Sequence, residues 1–438
     1  MVRKKRGIRM KENTIPRWRR LDNSAKIFPV STGKRYSTVF RISAVMKETI
    51  QPNILKKAVN QALKRFHDFK VKMKQGVFWY YFEENNKEIH VEEEKNYPCK
   101  YIEPYTNQDY LFKVTYFDKK INMDVNHALT DGNNATNFFK EIIYCYIELA
   151  HKKEFTKEYR TKRTYRYNTE DSYMVNYDKH AGNNNSSQKA YVLKGENIPL
   201  GAIAVIHEII GLEALKKKCE ECNCSITQYL TATLIQAIYE ENYLPNKGKK
   251  PIKVCIPVNL KKYFHSDTLS NFFSYITLEA NMRKDNLDNF EKILAFVKED
   301  FQKRLTEEEI LKTMSGNVKL GTNPLVKIIP LFLKKILVRA AYLEIRKYTT
   351  ITFSNIGRIG MIGKYQDYIE EFLFLIAPDP VEKIKCSACT FNNELVFTFT
   401  TILNDASIEK KFYELIQKQN IPIRIESNGV LDVISEKN

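Results

Sequence analysis

No stretch of this chain is apolar enough, for long enough, to cross a bilayer. The longest apolar tract, residues 325–343, is broken by Lys327, Pro330, Lys334, Lys335 and Arg339, and cations at mid-membrane are costly. It reads as one or two amphipathic helices kinked at Pro330, because proline removes a donor and crowds the preceding turn. A helix of a protein lobe is the expected role; contact with a membrane surface is the alternative that its cations leave open. No secretory leader is expected either, because the basic opening Met1-Val2-Arg3-Lys4-Lys5-Arg6-Gly7 is not followed by an apolar core, and a cytoplasmic location is the expectation. Acids are scarce, 52 against 70 Lys plus Arg, for a net charge of +18. That balance favours polyanions such as the phosphates of coenzyme A or an acidic carrier protein. Nucleic acid is not expected, since the cations are spread along the chain and no recognised binding motif is present. There is no short-period repeat, which excludes solenoids and propellers. Metal-binding spacing is missing as well. The eight cysteines include two CxxC strings, 219–222 and 386–389, but they are far apart, and the second lies in a strand-like hairpin, where positions three apart face opposite ways. No metal is expected, and the thiols are read as free.

What is present is enough chain for two cores. At 438 residues and 43% hydrophobic content, the expectation is two lobes. Residues 1–15 read as a basic flexible N-terminus. Residues 16–165 form a first lobe, 166–200 a linker marked by Gly182-Asn183-Asn184-Asn185-Ser186-Ser187, and 201–438 a second lobe. Apolar periodicity predicts a helix over 51–69, with Pro52 in its first turn, and another over 226–243. Strands are expected over 77–82, 202–209, 252–257, 273–279 and 349–354, with a hairpin from 383–390 and 395–402. A last helix over 407–418 has Asp405 as its expected N-cap.

The most informative segment is His127-Ala128-Leu129-Thr130-Asp131-Gly132. Upstream, residues 111–117 and 121–126 alternate apolar and polar around Asp118-Lys119-Lys120, which predicts a hairpin. Downstream, Phe138, Phe139, Ile142, Ile143, Tyr146 and Ile147 recur at helical spacing. His127 is therefore delivered at a strand end, just before a helix. A neutral imidazole there can take a proton from a hydroxyl or amine nucleophile. Asp131 can shape the loop by pairing with a cation, and Gly132 permits a tight turn with positive φ. Three fixed positions also arise by chance, and a lone loop histidine is usually inert, so the rest of the chain must decide.

Further segments do. Arg20-Leu21-Asp22-Asn23-Ser24-Ala25-Lys26-Ile27-Phe28-Pro29, Ile256-Pro257-Val258-Asn259-Leu260-Lys261, Ser270-Asn271-Phe272-Phe273 and Thr352-Phe353-Ser354-Asn355-Ile356-Gly357 stand in order along the chain. Together with the HxxxDG string they resemble the chloramphenicol acetyltransferase-like acyltransferase superfamily, most of all its alcohol acetyltransferases. Condensation domains and polyketide-associated acyltransferases are relatives in the same superfamily. The resemblance spans nearly the whole chain. It implies an α/β fold, a two-lobed sandwich with an active-site tunnel between the lobes, and family members are often monomers.

The resemblance also implies roles. His127 would be the general base and Asp131 a structural residue whose usual partner is an arginine. Lys261 stands in that place, a point charge without the planar fork of arginine. Condensation domains carry a second histidine where this chain has Asn126, which argues for a stand-alone acyltransferase. The expected reaction moves an acyl group, with acetyl first in line, from coenzyme A to a small alcohol or amine; acyl-CoA is a co-substrate, and no bound cofactor is expected. An acyl carrier protein is the alternative donor. Ser354, Asn355 and Asn271 are expected at the substrate site, with Ser354 or Asn355 as oxyanion donor; a plain strand-ending turn is the other reading of the first two. His207 sits in an apolar strand, where a satisfied core histidine is expected over one that faces the tunnel. Two other classes stay open: a docking protein with an idle motif, and a condensation-type enzyme that forms amides from carrier-bound acyl groups.

Overall fold

The computed structural model describes residues 18–34, 37–103, 105–155, 170–182 and 188–435. The basic segment 1–15 and parts of the expected linker, 166–169 and 183–187, lie outside the described residues. Three sheets organise the described residues. A small antiparallel sheet contains β1 (Trp18–Arg20), β3 (Val71–Gln75) and β4 (Tyr80–Glu84), in the order β1-β4-β3. A five-stranded sheet contains β2 (Val39–Met46), β5 (Val91–Glu93), β6 (Phe112–Phe117), β7 (Lys120–Asn126) and β12 (Ile369–Ile376), in the order β12-β2-β7-β6-β5. A seven-stranded sheet takes β8 (Ala204–Gly211), β9 (Ile252–Asn259), β10 (Phe273–Ala280), β11 (Ile351–Arg358), β13 (Ile384–Phe391), β14 (Glu394–Thr401) and β15 (Ile423–Ser427). Its order is β10-β9-β11-β13-β14-β8-β15.

The hairpin that carries the motif forms as its alternation requires. Phe117 pairs with Lys120, so only Asp118 and Lys119 make the turn. Asp118 adopts φ 45°, a left-handed conformation that Asp tolerates. The helices Pro52–Leu63 and Gly132–Ala150 bury their apolar stripes, including Leu55, Val59, Phe138 and Ile142, against this sheet. A second core lies under the seven-stranded sheet, where Leu230, Leu234, Val297 and Phe412 come from the helices Ile226–Ile238, Phe290–Arg304 and Ser407–Gln417.

β12 joins the halves. It comes from late in the chain yet pairs with β2 at the edge of the five-stranded sheet. Such an edge leaves alternate carbonyls bare. The seven-stranded sheet takes them with side chains: Cys389 Sγ donates to Phe372 O at 3.0 Å, Ser387 Oγ to Phe374 O, and Thr400 Oγ1 to Ile376 O at 2.6 Å. β13 thus faces both interiors. Cys386 belongs to one core and Cys389 to the other, as alternation along a strand requires.

Several expectations shift. The strand expected over 77–82 is the second half of a hairpin: Gly76 N donates to Trp79 O, and Val77 lies in the turn. The helix expected over 51–69 stops at Leu63, and a separate 3₁₀ turn spans His67–Phe69. Ala406, not Asp405, holds the N-cap of the last helix; Asp405 sits one residue earlier and accepts Ser407 N at 3.1 Å. The apolar tract breaks at Pro330 as expected, into helices Pro324–Ile328 and Leu331–Arg346. None of the described helices is long and apolar enough to cross a membrane.

Candidate active site

β7 ends at Asn126, whose own side chain folds the exit: Asn126 Oδ1 accepts Ala128 N at 2.9 Å, and its carbonyl accepts Leu129 N. The helix then starts at Gly132 with Asp131 as N-cap, Oδ1 accepting Asn134 N at 3.0 Å. An Asp there satisfies an orphan donor and sits at the favourable end of the helix dipole. Its second oxygen accepts Phe272 N, also at 3.0 Å. Thr130 Oγ1 donates to Leu269 O, and Asn134 Nδ2 to Ser270 O. The motif loop is thus clamped by residues 269–272, just before β10.

His127 stands at the centre of this clamp. Its backbone N–H donates to Thr38 O. Phe28 stacks on its ring with centroids 4.6 Å apart, and Phe40 and Phe273 lie 5.2 Å away. Nδ1 lies 3.1 Å from Asn271 Oδ1. The amide orientation of Asn271 is fixed by two acceptors on its other end: Nδ2 donates to His127 O at 3.0 Å and to Asp22 Oδ2 at 3.2 Å. Asn271 Oδ1 is therefore the acceptor, Nδ1 of His127 carries the proton, and Nε2 keeps the lone pair. Burial pushes the imidazole below its ordinary value, opposed by Asp131, its own backbone carbonyl, Asn271 and Asp22. The ring is held neutral and in one tautomer.

Asp22 completes the relay behind the ring. It is buried, and burial raises its carboxyl, against hydrogen bonds from Ala25 N and Ser24 Oγ at 2.8 Å and from Asn271. In the sequence, Asp22 and Phe28 stand in the 20–29 segment with nothing local to assign them a role. Only the folded chain shows that this segment returns over the histidine.

The remaining expected residues fall in different places. Lys261 and Asp131 do not come within ion-pair distance; Lys261 Nζ donates to Asn134 Oδ1 at 2.8 Å and to Thr268 O at 2.6 Å. The lysine holds the same loop through the side-chain amide of Asn134, three residues after the N-cap. Gly132 does not adopt positive φ. A Cβ there would lie 3.4 Å from Ile356 Cγ2 and 3.5 Å from Phe374 Cζ, so the glycine serves close packing. Asn355 is occupied: Nδ2 donates to Thr227 Oγ1 and Oδ1 accepts Gly357 N, with Gly357 at φ 75°. Ser354 pairs with Ser387 across the sheet, on the face of β11 opposite the buried Phe353. Beside the start of the motif helix, Lys140, Lys261 and Arg358 line a cavity of about 210 Å³.

His207 occupies a separate cleft of about 1520 Å³, lined also by Arg41, Ser43, Glu94, Lys120 and Asn122. Its Nδ1 lies 2.9 Å from Thr398 Oγ1. Burial, with Lys120 nearby, pushes it down to about 3. The floor of that cleft is already paired: Arg41 binds Asp124 and Glu94, and Asn122 donates to Glu94.

This architecture, two sheet lobes closed around an imidazole at a strand end, is the chloramphenicol acetyltransferase-like fold of condensation domains and acetyltransferases. Polyketide synthase associated protein 5 from Mycobacterium tuberculosis matches with a TM-score of 0.58 at 13% identity, over 91% of this chain and 96% of that one. The starter condensation domain of rhizomide synthetase, in complex with C8-CoA, matches with 0.61 at 11% identity, over 92% and 94%. TRI101 of F. graminearum, complexed with coenzyme A and deoxynivalenol, matches with 0.61 at 11% identity, over 90% and 96%. No family model matches the sequence, and no curated protein does.

Proposed function

We propose that the protein is an acyltransferase that moves an acyl group from a coenzyme A thioester to a hydroxyl acceptor, with His127 as general base. The observation that carries the reading is the tautomer: Asn271 holds the proton on Nδ1 and leaves Nε2 to accept one. Nε2 takes the acceptor's proton as its oxygen attacks the thioester carbonyl. The C–S bond breaks as the tetrahedral intermediate collapses, and the proton passes from Nε2 to the departing thiolate. General base catalysis of this kind contributes about 10²–10⁴-fold. Ser354 is the preferred oxyanion donor of the two candidates, because the amide of Asn355 is already given to Thr227. The small cavity beside the helix start, with Lys140, Lys261 and Arg358, suits a phosphate of the donor. Structures of the same fold are complexed with coenzyme A or C8-CoA.

Acceptor-dependent thiol release from acetyl-CoA, with a panel of alcohols and amines, tests the reading. The condensation-domain likeness favours one second reading, amide formation from a carrier-bound acyl group; an acyl carrier protein offered as donor in the same assay separates the two. Silence with acetyl-CoA, longer acyl-CoAs and acyl carrier protein alike would sink both and favour a docking protein.

A further inference from the structure

The helix Leu331–Arg346 is amphipathic in an unusual sense. Its inward face holds Leu331 and a buried lysine, Lys334. Its outward face presents Phe332, Leu333, Ile336 and Leu337, with Phe332 65% and Ile336 66% exposed. These four follow at spacings of one and four, a single stripe along the helix. The tip of the β3–β4 hairpin adds Val77 and Phe78, both exposed. The two elements are fastened together. Leu331 N donates to Val77 O at 2.9 Å, Lys334 Nζ donates to Phe78 O at 3.0 Å, and the same ammonium stands 3.6 Å above the Trp79 ring. A buried lysine spent on holding a loop against a helix makes the apolar patch a built surface.

The helix side of the patch is basic. No acid occurs between Glu309 and Glu344, while Lys327, Lys335 and Arg339 flank the stripe. In the hairpin, residues 69–82 hold no acid; Lys70 and Lys72 pair with Glu84 and Glu83 at the far end of its second strand, and Lys74 lies nearer the tip. Beside the patch is a cleft of about 1220 Å³ lined by Trp18 and Trp79, by the cations Arg20, Lys26 and Lys327, and by Glu83 and Glu84. Aromatic rings mixed with cations around an apolar centre match the headgroup layer of a bilayer. A second copy of the same face would bring cations against cations. We propose that this face docks the protein on a membrane surface rich in anionic phospholipid, with Phe332, Leu333, Ile336 and Leu337 entering the acyl boundary and the flanking cations held at headgroup depth. Nothing in it depends on the chemistry at His127.

The chain contains two tryptophans, Trp18 and Trp79, and both line the cleft beside the patch. Intrinsic fluorescence therefore reports contact directly. The full chain is mixed with vesicles of phosphatidylcholine alone, or of phosphatidylcholine and phosphatidylserine in about equal amounts, and followed by flotation and tryptophan emission. Flotation with the phosphatidylserine vesicles, a blue shift in emission, and loss of both at high salt are expected. A variant with Phe332→Gln, Ile336→Gln and Leu337→Gln changes only exposed side chains, so its thermal melt is expected to match the wild type while vesicle affinity falls at least about tenfold. Lys335→Gln with Arg339→Gln is expected to weaken binding to the anionic vesicles and reduce its salt dependence. Failure of the wild type to float with either vesicle overturns the proposal, as does undiminished flotation of the triple variant. So does a dimer in sedimentation velocity that the triple variant dissolves while vesicles go unbound, which would assign the face to a second copy.

Discussion

Two histidines of this chain are desolvated, and both engage a polar side chain through Nδ1. His127 meets Asn271, and His207 meets Thr398. What separates them is what lies behind and around. Asn271 is locked by the buried Asp22 and the backbone of His127 itself, so its oxygen can only accept. Thr398 has a hydroxyl that can rotate to donate or accept, so it dictates no tautomer. His127 leaves a strand at its end, stacked on Phe28. His207 sits inside β8, between neighbours in β14 and β15, over a floor whose charges are paired among themselves. Desolvation alone does not make a base; the role proposed for His127 rests on its fixed tautomer.

The largest effect expected from this contrast is on turnover. His127→Ala is expected to lower acceptor-dependent thiol release by about 100-fold or more, whereas His207→Gln stays within about threefold of wild type. Equal losses would erase the distinction. Next comes the relay. Asn271→Ala frees the imidazole to take either tautomer, and kcat is expected to drop about tenfold or more with KM little changed. A rise in KM alone would make Asn271 a substrate contact instead.

Protonation sharpens the comparison further. His127 lies below its ordinary 6.5, so the acid limb of kcat/KM is expected to have its midpoint under that value, with no His127 titration above neutrality. A midpoint above it would contradict the desolvated site. For His207 the readout is stability. Below pH 6.5 the unfolded chain takes up a proton that the folded imidazole refuses until about pH 3. Acidification through that window therefore weakens the fold, by up to about 1.4 kcal/mol per pH unit. In urea unfolding the wild type should therefore lose stability relative to His207→Gln as the pH falls from 7 to 5. An unchanged difference from pH 7 to pH 5 would show that His207 titrates freely. The smallest effect is expected of Lys261→Arg, within about 0.5 kcal/mol of stability, because the lysine grips Asn134 and Thr268 and not the Asp131 carboxylate.

The legible part of this site was its local part. The alternation of residues 111–126 and the helical spacing after Gly132 give the hairpin, the loop and the helix, since each is written in neighbouring residues. The N-cap role of Asp131 and its bond to Phe272 were not legible, because resemblance pointed to a charge partner while the fold supplies one backbone N–H from its own helix and one from the segment before β10. The same holds for Asp22, more than a hundred residues from His127. The edge position of β12 was missed altogether: Ile369-Glu370-Glu371-Phe372-Leu373-Phe374 has a broken alternation, and its place beside β2 is set by packing from both sheets. The hairpin over 71–84 was half seen: its first strand, Val71–Gln75, alternates apolar and polar but contributes only Val71 and Met73 to that pattern, too short a run to stand out.

β12 has a consequence for how the chain is made. The first 155 residues hold four of the five strands of their sheet, yet β2 has its last neighbour more than two hundred residues later. Until that segment leaves the ribosome, β2 offers an apolar unpaired edge, from Val39 to Met46, to any other nascent chain. The N-terminal half is thus committed to waiting for the C-terminal half, and cutting the gene between the lobes would yield a fragment prone to aggregate.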